Sequence, residues 1–194
     1  MSNTQNKSNL NGDVHIHKNT DSNSIDKKED DRPEFETNLA NTLLHNFGEK
    51  IKIDFIKKNR IKVNVQKENI VEIAKFISLN MKFDHAEAVT GIDYPEQNEI
   101  EVVYHLGSYE DNLSNQILAL STRAIREDDP TPGSDRTKLP SLRNVFYSVE
   151  FHERECFEML GVYFENHPDN RRLLLPEDWA DIPPLRKDFK IKGR

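Results

Sequence analysis

Two alternating stretches, IKIDF at residues 51–55 and IKVNV at residues 61–65, constrain the fold more than any other feature of the chain. Ile51, Ile53 and Phe55 alternate with Lys52 and Asp54, and Ile61, Val63 and Val65 alternate with Lys62 and Asn64. A period of two sends alternate side chains to opposite faces, so the stretches read as two strands joined by the polar turn Lys57 to Arg60. A sheet with one apolar face needs a cover. Covers lie on both sides in sequence: Phe35, Leu39, Leu43, Leu44 and Phe47 recur at helical spacing before the stop Gly48, and Ile70, Ile73, Ala74 and Ile77 mark one face of a helix over residues 69–79. Further strands are expected at 83–90, at 99–107 with Ile100, Val102, Tyr104 and Leu106 on one side, and at 113–125. The order α-β-β-α-β-β-β is that of a two-layer α+β domain with a mixed sheet, spanning residues 35–140.

Composition excludes several function classes. A chain of 194 residues with 35% hydrophobic content builds one core plus tails. Its net charge of −7, with basic residues concentrated only in the last ten, argues against a nucleic acid partner. The longest apolar run, Ile117 to Leu120, is far short of the roughly 20 residues that cross a bilayer, and no secretory or mitochondrial leader is visible, so the expected compartment is the cytoplasm. Cys156 is the only cysteine, whereas an iron–sulfur cluster or structural zinc normally takes about four ligands; a redox centre is therefore expected on another chain. Residues 1–34 lack aromatics and are expected to be a disordered polar tail, in which His15 and His17 are solvated rather than metal-binding. Residues 127–140, EDDPTPGSDRTKLP, read as a proline-rich loop.

Beyond that loop the chain places charge inside an apolar stripe. Ser141 is in position to cap a helix running to Leu160, with Gly161 as its stop. Leu142, Val145, Phe146, Val149, Cys156, Phe157 and Leu160 then fall on one line, and Glu153 lies in its middle. Arg154, Glu155 and Glu158 fall off the line and read as a solvated face, with Arg154 and Glu158 an i,i+4 pair. A carboxylate on a buried stripe must find donors or take up a proton. Arg171 and Arg172 are near enough in sequence to brace Glu153 from within, and an arginine of a partner subunit is the alternative. Prolines 168, 176, 183 and 184 argue against regular structure after Gly161, so residues 162–194 are expected to be an extended docking arm carrying Leu173, Leu174, Leu175, Trp179, Leu185 and Phe189. No catalytic or metal site is expected: there is no HExxH, His152 and Glu153 are adjacent, and no nucleophile elbow or phosphate-binding glycine loop occurs.

The segment ERECFEMLGVYFENHPDNRRLLLPEDW followed by PLRKDF resembles the 30 kDa subunit family of respiratory complex I and related quinone oxidoreductases, known in bacteria as the C subunit of NADH-quinone oxidoreductase. Glu153, Arg154, Glu155, Glu158, Gly161, His167, Pro168, Arg171, Arg172, Pro176, Glu177, Trp179, Pro184, Leu185, Arg186, Lys187 and Asp188 occupy the family's motif positions. Glu158 stands where Asp is usual, Asn166 where Gly precedes HP, and Asn170 where Leu precedes RR. The resemblance implies a non-catalytic structural subunit of the peripheral arm of an NADH:quinone oxidoreductase. Such a subunit lies on the cytoplasmic side of the cell membrane, and its C-terminal arm docks on the large quinone-site (49 kDa type) subunit. It implies no cofactor in this protein, with iron–sulfur clusters, flavin and quinone on partner subunits. The motif residues would form an interlock within the chain and with its neighbour. Alternatives are the equivalent subunit of a membrane-bound hydrogenase or ferredoxin-dependent relative, and a free-standing interaction module.

Overall fold

The computed structural model describes residues 33–127, 137–179 and 182–191. Helix α1 (Glu34–Phe47) is followed by strands β1 (Ile51–Lys57) and β2 (Arg60–Val65), helix α2 (Ile70–Asn80) and strands β3 (His85–Tyr94), β4 (Glu99–Gly107) and β5 (Ile117–Ile125). The five strands form one sheet in the order β1-β2-β5-β4-β3. Every neighbouring pair is antiparallel except β2 and β5, so the sheet is mixed, as expected.

The alternation explains how the layers meet. Ile61 and Val63 of β2, Ile100, Val102, Tyr104 and Leu106 of β4, and Leu118 and Leu120 of β5 are buried in the same cluster as Ala40 and Leu43 of α1 and Ile70, Ile73, Ala74 and Ile77 of α2. The other face is polar and holds its charges in pairs: the Lys62 ammonium lies 2.7 Å from Glu101, and Asn64 donates to Ser121. Gly48 ends α1 with a positive φ of 49° and its N–H donates to Leu44 O. Glu36, in the first turn of α1, accepts the Asn59 N–H at 2.6 Å and the Gln116 amide at 3.0 Å, tying the helix to the β1–β2 turn. Burial alone would raise the Glu36 pKa; these donors outweigh it and hold the carboxyl below its ordinary value.

The region after β5 departs from the expectation in several places. Lys138–Pro140, expected as loop, is a strand, β6, paired in parallel with Tyr163–Glu165, β7. The prolines expected to exclude regular structure after Gly161 begin only at Pro168, and Phe164 and Leu139 reward the pairing by burying completely. The helix expected from Ser141 begins instead at Glu150 and runs to Leu160 (α3), preceded by a short 3-10 turn at Tyr147–Val149. Both Val145 and Phe146 bond to Leu142 O, and Phe146 is extended, so the chain turns rather than winds. β3 runs to Tyr94, past the expected 83–90, and β5 starts at Ile117 rather than Leu113. The tail expected at residues 1–34 lies outside the described residues, apart from Pro33 and Glu34, where the first helix already begins; residues 128–136 of the loop also lie outside.

Gly91 lets α3 approach β3. A Cβ there would sit 2.0 Å from Leu160 Cδ1. At the far end of α3, Gly161 adopts φ 80° and ψ 30° and its N–H returns to Phe157 O, the left-handed geometry that turns the chain into β7.

Candidate functional site

The expected charged residues gather on α3, but with partners other than those expected. Glu153 is fully buried. Its Oε1 accepts the Tyr104 hydroxyl and the Leu142 N–H, both at 2.9 Å, and its Oε2 accepts the Ser141 hydroxyl at 2.6 Å. Neither Arg171 nor Arg172 reaches it. The nearest imidazole is His167, with Nε2 3.8 Å from Oε2. The Asp169 N–H donates to His167 Nδ1 at 3.0 Å, so the ring's proton sits on Nε2 and is directed at Glu150 O, 3.1 Å away. Burial pushes the Glu153 carboxyl above its ordinary value, although the three donors oppose that shift. Burial, with Glu153 beside it, raises the Tyr104 phenol well above its own. Ser141 is thus no helix cap: its hydroxyl serves Glu153 and accepts the Arg143 N–H.

Arg154 and Glu158 are not a solvated pair. Glu158 is buried and accepts main-chain N–H groups from three successive residues: Leu173 at 2.9 Å, Leu174 at 2.9 and 3.0 Å, and Leu175 at 3.1 Å. Arg154 donates to Arg171 O at 2.9 Å and Arg172 O at 2.8 Å, and lies 3.4 Å from Asp169. Glu155 remains exposed. Arg171 pairs with Asp169, which the guanidinium holds far below the usual carboxylate range. Arg172 donates to the carbonyls of Pro176, Glu177 and Trp179, closing a turn on which Trp179 rests 6.1 Å from Phe189. Pro168 and Glu177 are exposed.

A second charged group joins the PLRKD segment to the sheet. Arg186 is buried and donates to Leu160 O at 2.7 Å, where helix carbonyls lack partners, and to Glu127 O. The Leu185 N–H donates to Met159 O. Arg126 reaches Asp93 at 2.7 Å and Asp188 at 2.9 Å, and the Lys187 N–H donates to the other oxygen of Asp93. Burial and the like charge of Arg126 lower the Arg186 pKa. The described part of residues 162–191 is therefore bonded to the domain at several points rather than extended away from it. Tyr104, Ser141, Asp93 and Arg126 belong to the site and were not foreseen. Among the described residues no group of His, Cys, Asp and Glu is placed to hold a metal ion, and no helix is long and apolar enough to cross a membrane.

Residues 63–194, from β2 through α3 to the PLRKD segment, match the family described as respiratory-chain NADH dehydrogenase, 30 Kd subunit. The chain belongs to this family. It is 34% identical over 131 residues to the C subunit of F(420)H(2) dehydrogenase of Methanosarcina mazei, a match covering 68% of this chain and 76% of that protein. It is 37% identical over 134 residues to the C subunit of NADH-quinone oxidoreductase of Roseiflexus sp., covering 68% and 70%, and 36% identical to that of Chlorobium phaeobacteroides, covering 58% and 61%. A chain of the membrane-bound sulfane sulfur reductase, an archaeal respiratory membrane complex, shares the fold with a TM-score of 0.69 at 23% identity, over 82% of this chain and 88% of that one. A trypsin-resistant fragment of Nqo5 superposes with a TM-score of 0.50 at 23% identity, over 69% and 97%. In this 30 kDa-type chain Asn166 takes φ 63°, a left-handed conformation that Asn tolerates better than most residues.

Proposed function

We propose that the chain is a non-catalytic structural subunit of the peripheral arm of a complex I-type NADH:quinone oxidoreductase and docks on the large, 49 kDa type, quinone-site subunit through residues 171–191. One observation carries this reading. The C-terminal segment is held to α3 by the charged side chains of Arg154 and Glu158 on its backbone and by its own Arg186 on the backbone of α3, while Leu174, Leu185 and Ile191 stay 61–65% exposed. A surface that is ordered yet keeps its large apolar side chains outward is suited to a partner. Clusters, flavin and quinone then sit on neighbouring subunits at the cytoplasmic side of the membrane. The single cysteine supports this division of labour, since Cys156 is buried and its thiol is pushed up to about 12, away from thiolate chemistry.

The test is a triple variant, Leu174→Glu, Leu185→Glu and Ile191→Glu, made in the full chain. It should keep wild-type circular dichroism and unfolding midpoint. It should fail to co-purify from native membranes with iron and quinone reductase activity. Normal assembly and activity would refute the docking role. A second reading keeps the structural role but feeds the parent complex from a donor other than NADH, as in a hydrogenase or a ferredoxin-dependent relative. It is favoured by the likeness to the F(420)H(2) dehydrogenase protein, which matches the likeness to the NADH-type subunits. Comparing NADH, reduced ferredoxin and reduced deazaflavin as donors to one purified particle separates the two.

A further inference from the structure

Outside the last ten residues the fold assembles a second group of basic side chains. Residues 50–62, KIKIDFIKKNRIK, carry six Lys or Arg and one acid, in a chain of net charge −7. Opposite residues of an antiparallel pair share a face, and the register sets Lys52 against Asn64, Phe55 against Lys62 and Lys57 against Arg60. Arg60, Lys62 and Asn64 alternate with the buried Ile61, Val63 and Val65, so these side chains lie on the sheet face turned away from α1 and α2. Charge pairing on that face is incomplete at its β1–β2 side. Lys62 is matched by Asp54 and Glu101, whereas Lys52, Lys57 and Arg60 are exposed and form no salt bridge with any described residue. Lys57 and Arg60 stand directly opposite each other, a placement of like charges that weakens a hairpin rather than holding it. The tip between them is fixed all the same: the Asn59 N–H donates to Glu36 at 2.6 Å, and the Ile117 N–H donates to Asn59 O at 3.0 Å.

We propose that the open face of β1 and β2 is a docking surface for an acidic segment of a partner protein, whose carboxylates pair with Lys52, Lys57 and Arg60. An anion lying between Lys57 and Arg60 turns their repulsion into a shared attraction. The patch is bounded, and its bounds select the kind of anion. Farther across the same face β4 carries Glu99 and β3 carries Glu87, whose carboxylate lies over Gly107. His105 of β4 stands between the two signs: burial and Arg60 hold its imidazole below the ordinary value, while Glu87 acts the other way. A nucleic acid duplex or a layer of anionic headgroups reaches well past two strands and would meet those carboxylates. A single extended or helical segment, about 10 Å wide at most, covers two strands about 5 Å apart and no more. Phe55, half-buried with its ring centroid 5.2 Å from the Lys57 ammonium, adds an apolar floor beneath the ionic contacts. The PLRKD segment is bonded to β3, at the other edge of the sheet, so this surface is independent of the docking role proposed above.

Binding of a labelled oligo-glutamate peptide to the full chain is followed by fluorescence anisotropy at low salt, with phosphatidylglycerol vesicles and a DNA duplex titrated in parallel. Wild type should bind the peptide and release it in about 1 M salt, where the screening length falls to about 3 Å. Lys52→Gln, Lys57→Gln and Arg60→Gln combined should weaken binding about tenfold or more, the scale of three surface ion pairs. Lys67→Gln, Lys75→Gln and Lys82→Gln combined remove the same charge from exposed positions elsewhere and should leave binding within about twofold. No binding by wild type, or equal weakening by the two triple variants, overturns the proposal. Vesicles or duplex bound more tightly than the peptide overturn the acidic protein segment as occupant. If the first triple variant loses its circular dichroism, Arg60→Gln alone carries the test, with weakening of about twofold or more expected and unchanged binding overturning the proposal. Lys57→Gln alone should keep or raise the urea unfolding midpoint, because it relieves the facing charges. A lowered midpoint means that the fold itself requires Lys57 and overturns the assignment of this cation to a partner.

Discussion

Replacing Glu153 tests the buried cluster at the base of α3. Glu153→Ala removes the common acceptor of Tyr104, Leu142 and Ser141. Ser141 can turn its proton elsewhere, but the Tyr104 hydroxyl and the Leu142 N–H are left buried without an acceptor. Each orphaned donor costs about 1–3 kcal/mol, so the variant should lose about 3–5 kcal/mol once the small cavity is added. Glu153→Gln is expected to behave differently. Its carbonyl oxygen takes over from Oε1, and its NH₂ donates to Ser141 Oγ after the hydroxyl rotates, so the cost at neutral pH should be below about 1 kcal/mol. The pH dependence has a definite sign. Because burial raises the Glu153 pKa in the folded state, the fold favours the protonated form. That contribution is complete below the unfolded value of 4.5 and is lost as pH rises through the folded value. Glutamine does not titrate, so the stability of Glu153→Gln relative to wild type should improve between pH 4 and pH 8. Urea unfolding followed by far-UV circular dichroism at several pH values measures both effects. A Gln variant as damaged as Ala at pH 7, or a difference that moves the other way with pH, would refute the account.

Gly91→Ala places a methyl 2.0 Å from Leu160 Cδ1 and should cost about 1–3 kcal/mol by overpacking; combining it with Leu160→Ala should recover part of the loss in a double-mutant cycle. Native Cys156, its thiol pushed up to about 12 by burial with Glu155 and Glu153 nearby, should resist Ellman's reagent at pH 8 and react only at the rate of unfolding, a result overturned by stoichiometric labelling within minutes. Asp93→Asn strips a buried partner from Arg126 and should cost about 3–5 kcal/mol, whereas Asp188→Asn, at a side chain 47% exposed, should cost less than about 1 kcal/mol in the same unfolding assay.

Periodicity made α1, α2, β1, β2 and β4 legible because each element packs one face on the core and its apolar residues must recur at the matching interval. It could not report which strands pair, and the parallel register of β2 on β5 joins residues more than fifty positions apart. Between Leu142 and Val149 periodicity misled, because a turn that buries Leu142, Phe146 and Val149 repeats apolar residues at nearly helical spacing. Glu153 stood out correctly as a carboxylate on an apolar stripe. Its partners did not, since the expectation matched charge with charge, whereas the fold supplies two hydroxyls and an amide. The nearest signal was Tyr104, a hydroxyl on the apolar side of β4. Arg171, Arg172 and Glu158 escaped for a related reason: Arg172 and Glu158 bind backbone, which carries no mark in a sequence, and Arg171 turns back on Asp169, two residues away.

The bond between Asp93 and the Lys187 N–H, together with the bridge from Arg126 to Asp188, joins positions made far apart in time, 94 residues separating the first pair. During synthesis Asp93 and Arg126 emerge long before residues 186–188. Until those residues arrive, the end of α3 lacks the Arg186 guanidinium on Leu160 O and Asp93 lacks one of its donors. A chain that stops short of those residues therefore carries an incompletely satisfied charge cluster beside its helix. The last bonds that hold Asp93 and the C-terminal end of α3 are thus made only once the PLRKD segment is present.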